Sequence, residues 1–207
     1  MKYKAMRLEN NEGKMWHIGL DENDIAKHVI LPGDPARCEM VARHFENAQL
    51  MAVSRGNPTY TGAYKNVGVS VMSTGMGGMA VAVCVEELKQ IGAKTLIRMG
   101  TGGNIQPGIP AGSFVICTGA VRGEGTTPEY IPLEYPAIAD IDVVNSLRQA
   151  CREYGVSPYV GLVRSHDAFY MESPGAHEGW EERIPKWTDA GVLARENEGS
   201  AVFVVCS

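Results

Sequence analysis

No stretch of this 207-residue chain is apolar for long enough to cross a bilayer. The longest apolar run, Met79 to Val85, is ended by Glu86 and Glu87, far short of the roughly 18 residues a spanning helix needs. The polar start, Met1 to Gly13, has no apolar core of the signal-peptide kind. Basic residues are outnumbered, 19 Lys+Arg against 24 Asp+Glu for a net charge of −5, so no broad positive field draws in nucleic acid or an anionic membrane. Any anion site must be a local arrangement of arginines. The cysteines (Cys38, Cys84, Cys117, Cys151 and Cys206) are odd in number, far apart and without CxxC. This argues against a disulfide framework or zinc knuckle and for reduced thiols in a cytoplasmic protein. The five histidines show no HxxxH or HExxH spacing. GxSxG, GxxxxGK[ST] and GxGxxG are also missing, which disfavours a serine hydrolase elbow, a P-loop and a Rossmann nucleotide site.

What remains is an ordinary globular composition, 44% hydrophobic and 21% charged, with strands alternating with helices. His28–Leu31 reads as a strand, Pro32-Gly33-Asp34-Pro35 as a turn, and 36–45 as a helix with Asp34 as N-cap and Pro35 at its first position. Residues 51–54, 59–64 and 67–72 read as strands. Val81, Val85 and Leu88 mark a helix that stops near Gly92, and 95–99 and 113–121 read as further strands. Asp140 opens a helix with a stripe of Val144, Leu147, Cys151 and Tyr154, closed by Gly155, before a strand over 159–163. The expectation is a single α/β domain, a central mixed sheet flanked by helices, over 16–207, preceded by an N-terminal extension, 1–15.

Four segments can carry chemistry. Pro32-Gly33-Asp34-Pro35-Ala36-Arg37 pairs the exposed N–H groups of a helix start with a forked donor, Arg37. Taken alone, a proline-capped turn with a solvated Arg37 explains it better. Arg98-Met99-Gly100-Thr101-Gly102-Gly103 ends an apolar strand, where a charge is costly unless paired; the small residues after it allow several N–H groups to converge on an oxyanion. An Arg98 paired with a structural carboxylate is the competing reading, and the anion site is slightly favoured. Ser73-Thr74-Gly75-Met76-Gly77-Gly78 is either a close approach to a ligand or a packing turn. In Arg195-Glu196-Asn197-Glu198 the two acids do not share a helix face. One would grip vicinal hydroxyls while the other supports it, although an acidic first helical turn is the simpler account. Phe169-Tyr170 is either core or a stacking wall for a flat heterocycle.

In this order, together with Trp16-His17-Ile18-Gly19-Leu20, Glu134 to Asp140 and Ser165-His166-Asp167-Ala168-Phe169-Tyr170, these segments resemble the nucleoside phosphorylase family of the hexameric bacterial purine nucleoside phosphorylases and the uridine phosphorylases. The resemblance implies a phosphate set of Gly33, Arg37, Arg98 and Thr101, with Arg55 lent by a neighbouring subunit. It implies a ribose set of Met76, Asn197 and Glu198, with His17 lent to the neighbour's 5′-hydroxyl, and a base set of Phe169 and Gly102. Arg98 and Glu198 would carry the catalysis. It further implies no cofactor beyond phosphate as co-substrate, no metal, no nucleic-acid or membrane partner, and a homodimer or hexamer with shared sites. Two departures stand out. The Gln-x-Arg that grips uracil is missing after Tyr170, and Asn197 replaces the usual Met between the acids. The chain is also expected to lack the family's final strand and helix, including the acid that protonates a purine. Ile105-Gln106-Pro107 and Pro132 to Pro136 lean toward the uridine branch. A purine nucleoside phosphorylase, a water-using nucleosidase of the same fold, and an inactive nucleoside-binding relative are the alternatives.

Overall fold

The computed structural model describes residues 6–175 and 177–207. The chain divides into two compact units, the first running to Gly100 and the second beginning at Thr101.

The first unit is built on a five-stranded sheet of β1 (His28–Pro32), β2 (Glu46–Ser54), β3 (Asn57–Tyr64), β4 (Val67–Met72) and β5 (Thr95–Met99), in the order β2-β3-β4-β1-β5. β1 runs parallel to both β4 and β5, while β2, β3 and β4 form an antiparallel meander. Helix α1 (Pro35–Ala42) starts where expected, its N-cap Asp34 accepting from the Ala36 N–H at 2.9 Å. It ends three residues early. Helix α2 (Gly78–Gln90) buries Val81, Val85 and Leu88, the stripe seen in its sequence. The segment before Trp16 is tied in: Met15 is among the most buried side chains, and Lys14 meets Asp24 at 2.7 Å.

The second unit carries its own five-stranded sheet. Its strands are β6 (Gly103–Asn104), β7 (Val115–Gly123), β8 (Ala137–Ile138), β9 (Tyr159–His166) and β10 (Ala194–Glu196), ordered β6-β10-β9-β7-β8. The expected α/β architecture holds, but the strands fall into two sheets where one was expected. The three-residue β10 carries no alternation of its own and escapes a periodicity reading. Its pairing with β9 and β6 is a tertiary fact. Helices α3 (Thr127–Tyr130), α4 (Ile141–Glu153), α5 (Pro185–Asp189) and α6 (Gly199–Cys206) complete the unit. Asp140 caps α4 through the N–H groups of Asp142 and Val143. The expected α4 stripe is only partly used: Val144 is buried, whereas Tyr154 is exposed at the C-cap. Arg122 anchors the turn-rich stretch after α3, donating to the carbonyls of Ile131, Pro132 and Tyr135.

Among the described residues no helix is long and apolar enough to cross a membrane, and no group of three or more His, Cys, Asp or Glu is placed to hold a metal ion. The cysteines are free thiols, and burial pushes Cys38 and Cys84 up to about 12. Native-state iodoacetamide labelling at pH 8, followed by peptide mass mapping, should therefore modify Cys38 and Cys84 only as the protein unfolds, well after the half-buried Cys151.

Candidate active site

In the first unit, three loops leave the carboxyl ends of the adjacent parallel strands β4, β1 and β5, where α/β sheets present ligand-binding residues. Register sets the geometry. Leu31 on β1 lies opposite Arg98 on β5, and the Arg98 guanidinium folds back to donate through Nη1 to the Leu31 carbonyl at 2.8 Å and the Met99 carbonyl at 3.3 Å. This brings its other nitrogen against the next turn: a Cβ added at Gly33 would sit 3.0 Å from Arg98 Nη2 and 3.1 Å from the Gly75 carbonyl oxygen. The third loop is laced to the same point. Ser73 Oγ donates to the Gly33 carbonyl at 2.9 Å, and the Thr74 N–H to that of Pro32 at 3.0 Å. Gly33 is thus the crossing of all three loops, where an added Cβ would crowd both the Arg98 tip and the Gly75 carbonyl. Arg37 rises from the first turn of α1 just beyond, loosely paired with Asp34 at 3.9 Å.

Arg55 is placed by a different device. It and Gly56 form the two-residue turn between β2 and β3, with φ of 52° and 81°, the left-handed pair of a type I′ hairpin. The turn presents Arg55 at the end of the sheet. Arg55, His17, Ser73 and Thr74 line one cavity of about 320 Å³ within this unit. Met76 is 87% exposed in the loop before α2. Thus five of the expected residues (His17, Gly33, Arg37, Arg55 and Arg98) gather around the strand-end loops and this cavity, while Met76 stands out to solvent.

The side chain that sequence reading missed in this unit is Glu87, which was taken as the polar end of an apolar run. It is 5% exposed, and its carboxylate accepts from the N–H groups of His17 and Ile18, at 3.1 and 2.9 Å, while one oxygen lies 2.5 Å from His17 Nδ1. The available signal was its position one residue before Leu88 on the buried side of α2.

In the second unit, Thr101 and Gly102 precede β6, which pairs with β10. A Cβ on Gly102 would meet the Arg195 carbonyl oxygen at 3.0 Å, so this loop lies directly against Ala194 and Arg195, which lead into Glu196-Asn197-Glu198. The two acids of that segment differ in setting. Glu196 ends β10, facing inward, and accepts from the Ser165 hydroxyl and, at 2.7 Å each, from the N–H groups of Glu198 and Gly199. Glu198 stands at the head of α6 and is buried. Neither belongs to an acidic first helical turn. Asn197 donates to the His166 carbonyl, fixing the link between them. Phe169 opens a short 3₁₀ turn and is exposed, edge-on to Tyr170 with centroids 5.3 Å apart. Behind it lies a buried ionic cluster: Arg164 pairs with Glu172 at 2.6 Å and covers Trp187, and His166 Nε2 is 3.6 Å from the same carboxylate. Burial, only partly offset by Glu172, lowers the His166 pKa from its usual value and favours the neutral ring. Gln106, one of the residues that leaned toward the uridine branch, has a structural task, donating to the carbonyls of Thr188 and Val192.

A family model described as the phosphorylase superfamily matches residues 27–207. The chain belongs to the phosphorylase superfamily. The uridine phosphorylase of Treponema pallidum (strain Nichols) is 44% identical over 206 residues, an alignment covering 98% of this chain and 80% of that protein. The guanosine phosphorylase of Halorubrum lacusprofundi is 35% identical over 192 residues, covering 93% and 77%. Among solved structures, uridine phosphorylase from Vibrio fischeri ES114 superposes with a TM-score of 0.87 at 34% identity, covering 93% of this chain and 76% of that one. Membership in this superfamily agrees with the resemblance drawn from the motifs.

Glu196 gives the site a pH dependence. Burial raises its pKa above the ordinary carboxylate value, while the Ser165 hydroxyl and two N–H donors oppose the rise. A folded-state acid weaker than its unfolded counterpart loses stabilising effect as pH climbs through the raised value. Removing a donor to the charged form steepens that loss. Ser165→Ala should cost about 1–3 kcal/mol at pH 8 and much less at pH 4, measured by urea unfolding at both pH values.

Proposed function

We propose that this protein is a nucleoside phosphorylase, cleaving the N-glycosidic bond of a nucleoside with inorganic phosphate to give free base and ribose 1-phosphate, with uridine the favoured substrate. The observation that carries the reading is the crossing of three strand-end loops at Gly33 with the Arg98 guanidinium pressed against it. It sets a guanidinium against a glycine turn in a chain of the phosphorylase superfamily. Gly33, Arg37, Arg98 and Thr101 hold the phosphate, with Arg55 supplied across a subunit contact. Glu198 grips the ribose 2′- and 3′-hydroxyls, with Asn197 and Met76 beside the sugar and His17 supplied to the 5′-hydroxyl. Phe169 packs on the base, with Gly102 beneath it. Sharing of His17 and Arg55 makes the working form a homodimer or a hexamer with shared sites.

These parts suit the chemistry. The sugar carbon passes through an oxocarbenium-like state as the bond to the base breaks and the bond to phosphate oxygen forms. Catalysis then rests on placing a dianion beside developing positive charge and on fixing the attack geometry, without a protein nucleophile. Phosphate enters as co-substrate. Glu196 is seated on the Ser165 hydroxyl and the N–H groups of Glu198 and Gly199, and Glu198, buried at the head of α6, is the acid assigned to substrate by its likeness to the family's ribose-binding acid. A hydrolase using neutral water has no use for three guanidinium groups, which favours phosphorolysis.

The test is release of free base from uridine, thymidine, inosine, guanosine and adenosine, with and without phosphate. Phosphate-dependent cleavage, fastest with uridine, is expected. Equal rates without phosphate would overturn the reading in favour of a nucleosidase, and a preference for guanosine or inosine would assign the purine branch. Gly33→Ala should raise KM for phosphate about tenfold or more, because the added Cβ displaces the Arg98 tip, while moving the thermal midpoint by only a few degrees.

A further inference from the structure

Resting on that reading of His17, we propose that Glu87 is the positioning residue for the 5′-hydroxyl contact. It holds the His17 ring with Nδ1 as donor to its carboxylate and presents Nε2, as an acceptor, to the hydroxyl proton.

A carboxylate is acceptor-only when ionised. The group nearest His17 Nδ1 is a Glu87 oxygen at 2.5 Å, and the same carboxylate already takes the backbone N–H groups of His17 and Ile18. Three donors from two successive residues therefore converge on one buried acid, which pins both the ring and the chain that carries it. Ser54 Oγ closes the clamp from the β2–β3 hairpin, donating to the His17 carbonyl at 2.6 Å. That hairpin also carries Arg55, so one clamp sets the positions of His17 and Arg55 along the same cavity wall. When the partner of one ring nitrogen is fixed, the role of the other follows. With Nδ1 occupied by Glu87, Nε2 is the nitrogen left for substrate on a ring that is 36% exposed. The preferred 5′ substituent is therefore a hydrogen-bond donor. An arrangement with Nε2 as donor instead would favour an acceptor.

The test compares uridine, 5′-deoxyuridine and 5′-deoxy-5′-fluorouridine as substrates of the wild-type protein and of Glu87→Gln. Uridine should have the highest kcat/KM, and the fluoro compound, which accepts but cannot donate, should behave like the deoxy compound. Glu87→Gln should lower kcat/KM for uridine roughly fivefold to twentyfold, mainly through KM, and leave 5′-deoxyuridine almost unchanged. Equal losses on all three substrates would overturn the assignment while leaving phosphorolysis intact. Absence of phosphate-dependent cleavage by the wild type would overturn the functional reading instead. The tautomer is read separately from ring ¹⁵N shifts of His17 in the wild-type protein, which needs neither turnover nor a stable variant. A proton on Nδ1 with Nε2 bare supports the proposal, and a proton on Nε2 with Nδ1 bare refutes it.

Discussion

One hydrogen bond organises the strand-end loops of the first unit: Arg98 Nη1 to the carbonyl of Leu31. It exists because β1 and β5 are parallel neighbours in a register that sets these two residues opposite each other. The bond folds the guanidinium back over the sheet end, so that a Cβ at residue 33 would press on its Nη2 at 3.0 Å. The glycine, the arginine and the parallel register therefore depend on one another. A charge at the end of an apolar strand is costly in isolation; here the Leu31 and Met99 carbonyls accept from it.

Buried carboxylates do the corresponding work elsewhere. Glu87 gathers two N–H groups and an imidazole. Glu124 gathers the N–H groups of Thr126 and Thr127 and the Ser200 hydroxyl, fixing the starts of α3 and α6. Glu196 gathers a serine hydroxyl and the N–H groups of residues 198 and 199. Each spends its acceptor capacity on positioning the backbone. In each unit a buried acid holds the backbone beside a residue proposed to meet substrate: Glu87 beside His17, and Glu196 beside Glu198.

Local chemistry in the sequence carried much of this. The caps Asp34 and Asp140, the strand over 95–99 and the α2 stripe are all where propensity and periodicity put them, because each depends on neighbours within a turn or two. The clustering of Gly33 with Arg98 was legible only as two separate anion-loop candidates, since the register that joins them is non-local. Glu87 and β10 were missed for the same reason. A glutamate inside a helix and three strand residues acquire meaning only from distant partners, His17 in one case and β9 in the other. Tyr154 errs in the opposite direction: its helical spacing fits a core stripe, but it falls at the C-cap of α4, just past the last helical residue, and is exposed.

The most direct measurement of the central claim is calorimetric titration of inorganic phosphate into the protein without nucleoside, for the wild type and for Arg98→Met. The account predicts saturable one-site binding that weakens by at least tenfold in the variant and declines as salt is added. Phosphate binding of unchanged affinity in Arg98→Met would contradict it.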